Sequence, residues 1–472
     1  MINLFRQSVN CGKDFELRSR CLLYRFFLIE RGVKSSLGLA QQSKPKPKKK
    51  KQSDKYLLSS LIKKASRGPP LHVEHLVKKL FPEEGKEVEP PKQLYRTPLT
   101  LNMIAEVFHY ASKADVKIPL KIYISKLNAT KNPLSVISLW RLLYGLKAYE
   151  LEDENKQISN DVLNLISAIT AIVKTFGGDM SSQAVGLSLY GLQNFSSKHS
   201  EVRQLLSTLI PFIESCREEM NAKCISSALY GLRNMDGECS EVLKILSILT
   251  TKIRSLGNRK GMDSQGIGNA LYGFRNLSSE YFEVRNILSA LIPKIEDCRD
   301  YLTGQEIGNA LFGLRKLSSN HSEVLKLAAV LAKKVDSSHH KLSAQEVSMA
   351  LNGLYSMSSE HEEVRALVLA LARKVELCTD KFRPLSASDA LVGLMNMSSN
   401  HSEVVYLMGA LAPKIEVLRG RFRAIHSKRA LDSLKKMRRN YPEVFRIKAA
   451  LVPSAEIIRP KEMEAIEIKE TI

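Results

Sequence analysis

Leu302-Thr-Gly-Gln-Glu-Ile-Gly-Asn-Ala-Leu-Phe-Gly-Leu-Arg-Lys-Leu317 decides the fold of this 472-residue chain. Thr303 and Glu306 stand at capping-box spacing, so the hydroxyl can accept from a helix N–H while the carboxylate reaches back. Ser343-Ala-Gln-Glu346 repeats the arrangement one unit later. Ile307, Ala310, Leu311, Leu314 and Leu317 then recur on one helical face, which makes an amphipathic helix A. Ser318-Ser319-Asn320 is a turn, and a helix B over Ser322–Val335 carries Val324, Leu327, Leu331 and Val335. Such a hairpin cannot bury its own apolar face and must stack on another like it.

It does have others like it. The glycine of Phe312-Gly-Leu recurs, usually as Tyr-Gly-Leu, at Gly145, Gly191, Gly231, Gly273, Gly313, Gly353 and Gly393, with Ser433 in the next slot. Those positions are 46, 40, 42, 40, 40, 40 and 40 residues apart. Residues 99–114 read as a divergent first helix A with Tyr110 in the glycine slot. The expected fold is all-α: a solenoid of about nine stacked hairpins over 99–458 with a period near 40. Read as a mid-helix residue, this glycine costs about 1 kcal/mol relative to alanine. Close approach of the adjacent helix A is the favoured reason, and room for a ligand is the other.

The formal charge of +22 directs attention to anionic partners. Part of it lies in residues 1–55, which hold 14 Lys/Arg against 4 Asp/Glu. Residues 1–42 read as an organellar leader, basic and able to form an amphipathic helix, although Asp14, Glu16 and Glu30 are unusual in one; a basic tail is the other reading. The apolar run Cys21 to Ile29 is too short to span a bilayer, so membrane insertion is not expected. Residues 43–55 form a Lys/Pro-rich linker, either a spacer or a basic localisation or phosphate-binding arm. Residues 56–98 read as a short helical lead-in (Tyr56–Lys64, Val73–Leu80), and 459–472 as a charged tail.

Among seven cysteines, Cys216, Cys298 and Cys378 share one repeat position and read as small buried residues. His199, His321, His361 and His401 share another, at the start of helix B; as neighbouring hairpins stand about 8–10 Å apart, they read as turn residues and no metal is expected. Gly266-Ile-Gly268 follows no strand and is no dinucleotide fingerprint. With no P-loop and no nucleophile–base pair in view, the chain reads as a non-enzyme needing no cofactor.

A wheel of helix A sets Ile267, Ala270, Leu271, Phe274 and Leu277 toward the core and Asn269, Tyr272 and Asn276 away from it. The outward aromatic slot holds Tyr144, Tyr190, Tyr230, Tyr272 and Phe312, then Asn352, Val392 and Asp432. Three residues on come Lys147, Gln193, Arg233, Arg275, Arg315, Tyr355, Met395 and Lys435. A variable slot reads Arg141, Leu187, Ser227, Asn269, Asn309, Met349, Asp389 and Arg429, and a last one holds Asn194, Asn234, Asn276, Lys316, Ser356, Asn396 and Lys436. Rings that stack on unpaired bases, amides that read base edges and cations for phosphates are what single-stranded RNA requires. The aromatic slot also fits packing between neighbouring A helices. Finally, Arg419 to Arg439 holds nine Lys/Arg, among them Arg429, Lys435, Lys436 and Arg439, against Asp432 alone. An anion site is the favoured reading there, a polar end cap the other.

The 302–317 pattern resembles the octotricopeptide-repeat consensus and is similar to the helical repeats of RAP-domain and FAST-kinase-domain proteins. The resemblance implies a mitochondrial or chloroplast RNA-binding factor acting in transcript processing, stability or translation, with other RNA-processing proteins as partners. A nuclear or cytoplasmic site is the lesser expectation. The competing expectation is a protein-binding scaffold of armadillo or HEAT type.

Overall fold

The computed structural model describes residues 70–81, 99–130, 133–151, 156–256, 261–438 and 441–452, all within one unit of the chain, 53–472. The expected leader 1–42, linker 43–55, first lead-in helix, tail and Arg439 lie outside the described residues. Those residues hold nineteen α-helices and no strand. Helix α1 (Pro70–Leu80) packs on α2 (Leu101–Lys113), the first helix A. The further A helices are α4 (Val136–Gly145), α6 (Ser182–Tyr190), α8 (Ala222–Gly231), α10 (Ser264–Tyr272), α12 (Gly304–Phe312), α14 (Ala344–Asn352), α16 (Pro384–Val392) and α18 (Ala424–Ser433). The B helices alternate with them: α3 (Leu120–Ala129), α5 (Lys156–Lys174), α7 (Ser200–Ser215), α9 (Ser240–Arg254), α11 (Phe282–Glu296), α13 (Ser322–Ser337), α15 (Glu362–Leu377), α17 (Ser402–Glu416) and α19 (Pro442–Leu451). Each A helix packs on the next A, and each B on the next B, so two layers of helices enclose one continuous apolar core. The expected α-solenoid of nine hairpins is present.

Helix A begins where its cap predicts. Ser135, Ser181, Asn221, Asp263, Thr303 and Ser343 each accept from the backbone N–H three residues on. Both expected capping boxes form, with Glu306 and Glu346 reaching back to the cap. Cys216, Cys298 and Cys378 are buried, as expected.

The glycine requires a correction and an explanation. It does not sit mid-helix: Gly191, Gly273, Gly313, Gly353 and Gly393 are C-caps of helix A, and Gly145 and Gly231 are its last residue. All have right-handed backbone, so left-handed freedom is not the reason for them. Space is. A Cβ on Gly231 would stand 2.0 Å from the Leu189 carbonyl oxygen, and on Gly313 1.9 Å from that of Leu271. The preceding A helix passes directly over the glycine, which favours the packing reason.

Polar ladders tie the units together. Buried hydroxyls in the A–B turns accept from the next turn's backbone: Ser279 from Ser318 N at 2.8 Å, Ser319 from Ser358 N at 3.0 Å, Ser359 from Ser398 N at 2.9 Å. In the B layer, Lys252 donates to the Cys216 carbonyl at 2.7 Å, Lys294 to that of Leu256 at 2.8 Å, and Lys374 to that of Ser338. Each lysine meets carbonyls at the end of the preceding B helix, where helices leave acceptors unsatisfied.

Candidate nucleic-acid interface

The aromatic slot is not open to solvent, which corrects the wheel. Tyr144, Tyr230 and Tyr272 are 8, 6 and 5% exposed, while Tyr190 and Phe312 are half-buried. Because the glycine lets A helices close up, their rings meet in one column. Centroids are 5.7 Å apart for Tyr144–Tyr190, 5.6 Å for Tyr190–Tyr230, 5.6 Å for Tyr230–Tyr272 and 5.9 Å for Tyr272–Phe312, with interplanar angles of 19–26°. Both faces of Tyr190, Tyr230 and Tyr272 are therefore taken by neighbouring rings. Burial pushes the Tyr144 and Tyr230 phenols up, so they stay neutral.

The cationic and amide slots are committed in the same way. Arg233, 3% exposed, lies 4.6 Å from the Tyr230 centroid and donates through Nε to the Gln193 carbonyl at 3.0 Å and through Nη2 to Asn194 Oδ1 at 2.8 Å. Arg275 donates to the Arg233 carbonyl at 3.2 Å, to the Tyr272 hydroxyl at 2.5 Å and to Asn234 Oδ1. Half-buried Arg315 stands over the Tyr355 ring at 5.6 Å. Asn194, Asn234, Asn276 and Asn396 each donate from Nδ2 to a backbone carbonyl of the preceding unit, at 2.8 to 3.2 Å. In the variable slot Asn269 is half-buried, and Asn309 is buried with its Oδ1 unpartnered.

The terminal basic cluster behaves differently. Arg419, Arg421, Arg423, Lys428, Arg429, Lys435, Lys436 and Arg438 are all exposed. Lys435 pairs with Asp432 at 2.9 Å and holds that carboxyl below its usual range. Lys436 reaches Asn396 Oδ1 at 2.9 Å, and Arg429 stands 3.7 Å from Asp389, whose carboxyl burial pushes up.

Sequence reading missed a continuation of this cluster. Exposed Lys341, Lys381 and Arg383 carry positive charge back along the two preceding inter-hairpin loops. Arg383 and Arg423 are the N-cap residues of α16 and α18, with no side-chain cap bond. Losing a Ser/Thr/Asn/Asp cap costs about 1 kcal/mol, and a cation at the positive end of a helix dipole is further disfavoured. A slot-by-slot comparison of caps would have exposed the switch.

At the other end the column starts at His109, in the aromatic slot of α2 and 3% exposed. Its ring is tilted 57° to Tyr144 at 4.9 Å. Burial first, then the cations Lys113, Arg141 and Lys147, lower its pKa from 6.5 to about 2. The native imidazole is neutral above that value, whereas the unfolded one takes a proton below pH 6.5. Its contribution is thus complete above pH 6.5 and is lost as pH falls toward 2, by about 1.4 kcal/mol per pH unit. His109→Phe should flatten the fall in urea midpoint between about pH 6 and 4. Equal acid limbs in the two proteins would clear His109 of that role.

Comparison with known proteins finds no family model that matches the chain and no curated protein significantly similar to it.

Proposed function

We propose that this protein binds single-stranded RNA, with the phosphate backbone seated on the basic C-terminal end of the solenoid. The observation that carries the reading is the exchange of helix caps for Arg383 and Arg423. Two helix starts give up a stabilising cap and accept a repulsive charge, beside exposed Lys381, Arg419 and Arg421. A polar end cap would need solvation only and could use both signs. One sign combined with helix N-termini is the arrangement that attracts phosphates.

Base selectivity, in this reading, belongs to the half-buried members of the variable row beside the column, Leu187, Ser227, Asn269, Met349 and Asp389, whose chemistry changes from unit to unit. Together with the resemblance to octotricopeptide-type repeats and the basic residues 1–42, this puts the proposed role in organellar RNA processing, stability or translation.

Fluorescence anisotropy of a labelled single-stranded RNA with the full chain, over about 50–200 mM salt, tests the reading. About six phosphate contacts give a log–log slope near −4. Changing Arg421, Arg423, Lys428 and Arg429 together to Gln should reduce the slope to about −1.4 and weaken binding on the order of 100-fold at 100 mM salt. Absence of RNA affinity at the lowest salt would remove the proposal, and an unchanged slope in the variant would remove this surface from it.

A further inference from the structure

Trp140 occupies a slot that six of the following A helices, α6 to α16, fill with small residues. The equivalents there are Gly186, Ser226, Gly268, Gly308, Ser348 and Ser388, and Lys428 takes the slot on the last, α18. They are small because the next A helix lies against them. A Cβ on Gly186 would stand 2.8 Å from the Cys224 carbonyl oxygen, and one on Gly308 3.3 Å from Glu346 Cα. Only in α4 does this slot carry a large ring, in the unit whose glycine spacing is 46 rather than 40 or 42. Trp140 remains half-buried there, with Ile137, 55% exposed, one turn before it.

Its surroundings are built from groups that recognise bases. The Arg141 guanidinium lies 5.7 Å from the Trp140 centroid and 6.0 Å from that of half-buried Tyr110. His109 meets Trp140 edge-on at 5.1 Å and 88°. Buried His109 Nδ1 and Arg141 Nε both lack a hydrogen-bond partner. Lys113, Arg141 and Lys147 outnumber the local acid, Glu106, which stands 3.4 Å from Arg141. Unlike the rings further along, Trp140 and Tyr110 are not enclosed in the stacked column.

We infer that Trp140, Tyr110 and Arg141 form a stacking site for an unpaired nucleobase at the N-terminal end of the aromatic column. The inference rests on the single-stranded RNA reading, and adds to the C-terminal phosphate surface a second contact of different chemistry. Trp140 supplies the π-face, Arg141 a planar cation, and Lys113 and Lys147 the charge for the adjoining phosphates.

The chain has a single tryptophan, so its emission reports this site directly. The full chain is titrated with an oligouridylate of about 20 nucleotides, longer than one single-strand site, and with an abasic ribose-phosphate strand of equal charge. The uridylate should quench Trp140 and the abasic strand should bind without quenching. Trp140→Ala should lower affinity for the uridylate by roughly tenfold and leave the abasic strand unaffected, with Trp140→Phe in between. Binding of the uridylate with unchanged emission, or equal quenching by both strands, overturns the stacking site and leaves the phosphate reading standing. Failure of both strands to bind overturns both. The emission titration uses the unaltered chain, so it decides the matter even where Trp140→Ala fails to fold.

Discussion

Gly313→Ala should destabilise the protein by about 3 kcal/mol, one methyl group notwithstanding. Its Cβ would fall 1.9 Å from the Leu271 carbonyl oxygen and 2.5 Å from the Leu271 carbonyl carbon. Those are backbone atoms of α10, so no side chain can swing aside. The A helices must part by more than an ångström, which strains the 5.9 Å Tyr272–Phe312 stack and the 2.8 Å bond from Ser318 N to the Ser279 hydroxyl. Against this, alanine at a right-handed position gains about 0.4–1 kcal/mol over glycine by restricting the unfolded chain. The clash outweighs that gain, so the substitution destabilises. Gly177→Ala is the control, because nothing lies within 4 Å of its Cβ; it should change stability by no more than about 1 kcal/mol. Urea unfolding followed by circular dichroism compares the two. If Gly313→Ala unfolds at the midpoint of the control, close helix approach is not what this glycine serves.

Tyr230→Ala should cost about 3–5 kcal/mol, the range for deleting a buried aromatic ring. The side chain is 6% exposed, and its two faces meet Tyr190 and Tyr272, each at 5.6 Å. Each stacked pair contributes about 0.5–1.5 kcal/mol beyond area burial. Removing the ring also strips buried Arg233 of a partner 4.6 Å away. Tyr230→Phe keeps the column and should stay within about 1.5 kcal/mol of the parent. The same pair of variants separates packing from base stacking. A Tyr230→Ala protein that unfolds like the parent yet binds RNA more weakly would return this ring to the RNA surface and end the packing account.

The helical hairpin was legible because its determinants are local. The cap at Thr303 and Glu306, the apolar period from Ile307 to Leu317 and the turn at Ser318-Ser319 each lie within a few residues of what they control. The basic run from Arg419 was legible as a surface for a related reason: no later A helix among the described residues covers α18. The aromatic slot was not legible. A wheel separates one buried face from one exposed face, whereas a helix inside a solenoid has a neighbour on each flank as well as a core behind it. Tyr272 lies opposite Ile267 and Leu271 on the wheel, yet it is buried between Tyr230 and Phe312. Arg233 and Asn234 look solvated in sequence, but their partners are carbonyls and amides about 40 residues away.

The sequence by itself determined the period, the hairpin, its caps and the apolar faces that force units to stack. Only the tertiary structure decided which polar and aromatic side chains that stacking consumes. The glycine connects the two levels: it is visible as a ruler in the chain, but its effect depends on another helix lying within contact distance. That approach closes the ring column, turns Arg233 and Arg275 inward, and leaves the exposed charge of α18 and the half-buried ring of Trp140 at the two ends of the A layer.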